Sequence, residues 1–101
     1  MGIKREEILL ALQSSLLGEI STSVIAVVFQ YNAENRYFKL RYYLDKEPDK
    51  DEYESIGNVV AEFISNFKFS DFDKVDEECF YTTLLPSEVD ILDGIVFCRK
   101  F

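Results

Sequence analysis

Ile8, Leu9, Leu12 and Leu16 recur at helical spacing and predict an amphipathic helix over residues 5–17. Glu6 and Glu7 suit the positive end of its dipole. Gly18 is placed to cap it, because glycine takes the left-handed conformation at little cost. Past a short Ser21-Thr22-Ser23 connection the period changes to two. Residues 24–31 are β-branched, aromatic and apolar on both faces, which predicts a central, well-covered strand. Residues 32–35 read as a turn in which asparagine supplies a positive φ. Residues 36–44 then alternate: Phe38, Leu40, Tyr42 and Leu44 share one face, and Tyr37, Lys39, Arg41 and Tyr43 the other. The two strands are expected to form a hairpin.

Asp49 followed by Glu52 resembles a capping box, and a second helix is predicted from there to residue 66. Tyr53, Ile56, Val60, Phe63, Ile64 and Phe67 would form its apolar face. Gly57 lies inside it, at a cost of about 1 kcal/mol against alanine. Its position beside the stripe suggests a close approach of helix to sheet. Phe67, Phe69 and Phe72 stand among charges and are expected to plug the end of the core. A third strand over residues 77–84, a long acidic loop over 85–94 and a fourth strand over 95–100 complete the chain. The order α-β-β-α-β-β predicts one α+β domain over residues 1–101. Its four-stranded sheet would be mostly antiparallel, built from two hairpins, with both helices on one face.

Charge narrows the partners. Nineteen acidic and eleven basic residues leave a net charge of -8, with a pI of about 4.4. Residues 1–44 carry +1 and residues 45–101 carry -9. Such a balance opposes nucleic acid and anionic membranes and favours a basic protein partner. No run reaches the roughly 18 apolar residues of a membrane span, and no signal peptide is visible, so a cytoplasmic protein with reduced thiols is expected. If Leu84 paired with Ile95 in a second hairpin, Tyr81 would face Cys98 and Cys79 would face Lys100. The two cysteines would then be diagonal neighbours, packed as small apolar groups rather than bonded.

The sequence contains no histidine, which removes the commonest general base and metal ligand. Glycine-rich phosphate loops and metal-ligand spacings are also missing. Carboxylate chemistry alone is the enzymatic route left open. The expectation is therefore no enzyme, no cofactor and no metal. Tyr37, Lys39, Arg41 and Tyr43 form a basic-aromatic stripe, read as an exposed sheet face. Three acidic clusters follow, around residues 45–54, 71–78 and 88–93. On charge and expected exposure, the candidate partner-binding residues are Asp45, Glu47, Asp71, Asp73, Glu88, Asp90 and Asp93, with Tyr43 as an aromatic anchor.

Four stretches carry a resemblance. They are Ala11-Leu12 through Leu16-Leu17-Gly18-Glu19-Ile20; Arg41-Tyr42-Tyr43-Leu44-Asp45; Val59-Val60-Ala61-Glu62-Phe63-Ile64; and Gly94-Ile95-Val96-Phe97-Cys98-Arg99-Lys100-Phe101. In this order the chain resembles bacterial immunity proteins of contact-dependent growth inhibition and related polymorphic toxin systems. The resemblance implies a cytoplasmic antidote that binds and neutralises the C-terminal domain of a cognate toxin, often a nuclease. It carries no binding residues over. The alternative is a non-catalytic adaptor or subunit module docking through its sheet face. Either would be a monomer or weak homodimer.

Overall fold

The computed structural model describes residues 3–99, apart from the side chain of Phe69. The elements follow in the expected order: α1 (Arg5–Leu16), β1 (Val24–Asn32), β2 (Tyr37–Leu44), α2 (Lys50–Ile64), β3 (Lys74–Tyr81) and β4 (Gly94–Cys98). A 3-10 turn at Phe69–Asp71 precedes β3. Residues 100 and 101, which include the expected end of the fourth strand and the partner assigned to Cys79, lie outside the described residues.

Local chemistry explains the boundaries. Gly18 takes φ +79 just past α1, as its capping role requires. Asp49 Oδ1 accepts from Asp51 N at 2.9 Å and from Glu52 N at 3.3 Å, while Asp49 N donates to Glu52 Oε1 at 3.3 Å. The capping box is thus formed. In the 32–36 turn the asparagine works differently from expectation. Asn32 Oδ1 accepts from Glu34 N at 2.9 Å, and the positive φ falls on Arg36.

The β1–β2 hairpin forms as read, with Tyr31 opposite Phe38 and Val28 opposite Arg41. The second hairpin does not. The sheet is mixed, in the order β3-β2-β1-β4, and β2 pairs with β3 in parallel. Since β1 is antiparallel to both β2 and β4, the strands β2, β3 and β4 all run the same way. Consecutive strands of one direction cannot be joined by a tight turn; they need a crossover of about a dozen residues. Residues 82–93 provide it, crossing from one edge of the sheet to the other. The same geometry moves the third strand back to Lys74, because its register starts where that of β2 starts, at Tyr37.

One buried cluster joins Ile8, Leu12 and Leu16 of α1, Ile56, Val59, Val60 and Phe63 of α2, and Phe29, Phe38, Leu40 and Tyr42 of the sheet. Rings close its end. Phe63 stacks on Phe38 with centroids 4.4 Å apart, and Phe72 packs against Tyr31, Phe38, Phe63 and Phe67. Phe67 and Phe72 therefore plug the core as expected; the side chain of Phe69 lies outside the described residues. Tyr53, assigned to the apolar face of the second helix, is instead exposed. A second cluster, Ile25, Ala26, Val28 and Tyr43, is covered by Val89 and Leu92 of the crossover.

The crossover ends against the core at Gly94. A Cβ there would stand 2.7 Å from Arg5 Nη2 and 2.8 Å from Phe29 Cε1. The arginine tip can swing aside, but the buried Phe29 ring cannot without disturbing its neighbours. Gly94→Ala should cost about 1–2 kcal/mol by overpacking. Calorimetry should show a melting temperature lower by several degrees; an unchanged value would mean the ring has room to move.

Candidate partner-binding surface

The carboxylates singled out from the sequence do not converge. Asp45 and Glu47 follow the C-terminal end of β2, and Asp71 and Asp73 precede β3 at its other end. At ~3.3 Å per residue, the eight residues of β2 put roughly 23 Å between those pairs. Glu88 and Asp90 lie in the crossover, and Asp93 reaches the end of β1 through Tyr31 N, 2.8 Å from its Oδ2.

Most of these acids are engaged within the chain. Asp45 pairs with Arg99 at 3.0 Å, and Asp73 with Arg36 at 2.8 Å. Asp71 Oδ2 accepts from Lys68 N at 2.9 Å, Glu88 Oε1 from Leu85 N at 2.8 Å, and Asp90 Oδ1 from Leu92 N at 2.9 Å. These are local turn and cap bonds of the kind a carboxylate makes with the residues next to it. Asp49 is the clearest case. The Lys46 ammonium, 2.8 Å from its Oδ2, and the hydrogen bonds of the capping box lower its carboxyl to about 2. Glu47 is exposed and has no ion-pair partner among the described residues.

The expected aromatic anchor needs correction. Tyr43 is 6% exposed, beneath the crossover. Its hydroxyl donates to Asp90 O at 2.8 Å and accepts from Arg41 Nη1 at 2.9 Å. The remaining stripe is also tied down, because the parallel partner β3 brings acids alongside it. Tyr37 donates to Asp76 at 2.8 Å; burial and then that bond push its phenol up to about 12. Arg41 pairs with Glu78 at 2.8 Å and covers the Phe80 ring at 4.6 Å. Docking through this face would therefore proceed without the Tyr43 ring.

Sequence reading missed the exposed aromatics at the end of β3, Phe80 and Tyr81. Their adjacency was the available signal: neighbouring strand residues point to opposite faces, so both rings could enter one core only if the strand were irregular.

Cys79 on β3 and Cys98 on β4 occupy the two outer strands, and both are free thiols. Three strand spacings of ~4.8 Å make about 14 Å, twice the roughly 7 Å limit for a disulfide. Their expected pairing as neighbours fails with the second hairpin. Burial, then the carboxylates of Glu52 and Glu77, pushes the Cys79 thiol up to about 11, so it stays protonated at neutral pH. Among the described residues no three of His, Cys, Asp and Glu gather as they would around a metal ion. Nor is any helix among them long and apolar enough to cross a membrane.

Comparison with protein families places the chain among immunity proteins, in agreement with the resemblance seen in its sequence. The matching family model is described as MafI2 immunity protein; it covers residues 5–100, and the chain belongs to that family. No curated protein matches the chain. Membership implies a toxin protein as the partner.

Proposed function

We propose that this chain is the antidote of a toxin–immunity pair, which binds the C-terminal domain of its cognate toxin in the cytoplasm and neutralises it. The toxin domain is basic and is a nuclease, and acidic side chains of the immunity protein occupy or flank the site meant for phosphate. Delivery of the toxin by cell contact fits the same reading. The family match over residues 5–100 carries the proposal, and the net charge of -8 supports its electrostatic part. Oppositely charged proteins can associate at about 10⁸–10⁹ M⁻¹s⁻¹ at low salt, fast enough to intercept a toxin before it acts.

The test looks for a toxin domain in the genes beside this one and uses it as the ligand. Expected is a 1:1 complex whose association rate falls at least tenfold between low salt and about 0.5 M, as screening shortens the reach of the field. Growth of cells expressing the toxin domain should be restored by this chain. Absence of binding at low salt, or toxicity unrelieved by expression, would remove the proposal.

A further inference from the structure

β3 is an outer strand, eight residues long, paired with β2 without a register shift. Ahead of the strand Asp73 N donates to Arg36 O at 2.8 Å; from its first residue on, Lys74 N donates to the same oxygen at 3.5 Å and, past its end, Thr82 N to Leu44 O at 2.9 Å. Strand residues alternate in the direction of their backbone groups, so the even-numbered residues bond inward to β2. Val75, Glu77, Cys79 and Tyr81 therefore turn N–H and C=O to the open edge. The other outer strand, β4, has five residues, and its ladder with β1 is interrupted by a register shift. An open edge of regular strand is a template for another strand.

Gly57 lies beside that edge. It sits in the interior of α2, where glycine is unfavourable. A Cβ at this position would meet only Glu77 Oε1, at 3.7 Å, an ordinary contact. The fold of the free chain therefore has room for a side chain there, and close packing of helix on sheet does not explain the glycine. Tyr53, one helical turn earlier on the same side, is exposed. The missing side chain leaves space beside Glu77, between the flank of α2 and the edge of β3.

Charge selects the occupant. Glu77 is exposed at the middle of the strand and has no ion-pair partner among the described residues. The strand itself carries Lys74 against Asp76, Glu77 and Glu78, and the chain around it is acidic. Two copies paired antiparallel about Glu77 would oppose like charges, whereas a basic strand would be drawn in.

We propose that the outer edge of β3 is the toxin-docking site: an extended, basic segment of the toxin domain adds a fifth strand there, beside the space left open at Gly57. This rests on the immunity reading. It makes the binding mode one of main-chain hydrogen bonds, with Glu77 and Tyr53 reading side chains of the added strand.

The experiment compares the full chain with its Gly57→Gln and Glu77→Lys variants against the same toxin domain. Gly57→Gln installs a better helix former, so the variant should melt at or above the wild-type temperature. Its side chain should fill that space and weaken toxin binding by about thirtyfold or more, the loss typical of a central contact. Glu77→Lys, on the surface, should keep the melting temperature and lose binding comparably. Amide exchange by NMR should show Val75, Glu77, Cys79 and Tyr81 slowing together when the toxin domain binds. Wild-type affinity in both variants, or slowing confined to other strands, would overturn the docking edge while leaving the immunity reading intact. Slowing of these amides with rising concentration of the free chain, and no further change with toxin, would make the occupant a second copy and overturn it too. If the wild-type chain does not bind the toxin domain at low salt, the immunity reading itself fails and the docking edge with it.

Discussion

Phe63→Ala is expected to remove about 3–5 kcal/mol of stability, a large part of the 5–15 kcal/mol typical of a whole domain. Phe63 has no exposed surface. Its ring stacks on Phe38 of β2 at 4.4 Å and meets Phe67 at 5.1 Å and Phe72 at 5.7 Å. It thus joins α2, the central sheet and the segment leading into β3. Truncation forfeits burial and leaves a cavity that its neighbours cannot all move to fill, because each ring also supports another. At ~4–8 °C per kcal/mol, the melting temperature should fall by more than about 12 °C. Urea unfolding followed by circular dichroism measures the loss directly. Phe72→Ala, at the half-buried rim of the same cluster, should lose clearly less. If Phe63→Ala melted within a few degrees of wild type, the ring cluster would not hold the three segments together.

The rings belong to the part of the fold that was legible in the chain. Short-range periodicity marked α1, β1, β2 and α2, because each buries a face whose spacing is set by its own geometry. The β1–β2 hairpin followed from alternation and a short turn. The capping box of α2 was readable because Asp49 and Glu52 act within one turn of each other. The same logic would have found the Asp71 and Glu88 caps: each carboxylate bonds the backbone N–H three residues earlier, at Lys68 and Leu85. Both acids stay candidates for partner binding, and a cap and a solvated acid look alike in the sequence without the turn between them. The placement of β3 was not legible. Nothing local distinguishes a hairpin from a crossover when ten to twelve residues intervene; the choice depends on which edge of the hairpin is free to accept a strand. That one choice decided three further outcomes. It separated the cysteines, buried Tyr43 under the crossover and set acids beside the basic stripe.

Arg41 shows how much the parallel pairing contributes. Arg41→Met should cost about 2–3 kcal/mol, between the 0–1 kcal/mol of an exposed ion pair and the 3–5 kcal/mol of a buried one. The Arg41 side chain is 13% exposed and that of Glu78 is 28% exposed, so solvent screens the pair only in part. Removing the guanidinium leaves Glu78 with Lys39 at 3.7 Å, takes a donor from the Tyr43 hydroxyl and uncovers the Phe80 ring. Arg41→Lys should recover little, because an ammonium lacks the planar fork that serves Glu78 and Tyr43 together. A double-mutant cycle of Arg41→Met with Glu78→Gln isolates the pair and should give a coupling of about 1–2 kcal/mol. A coupling near zero would reduce the stripe to solvated surface. The expected coupling would make Arg41 a tie between β2 and β3, holding in register the strand whose outer edge is open. The basic stripe would then serve the partner surface indirectly, by fixing the edge from behind rather than by touching what binds it.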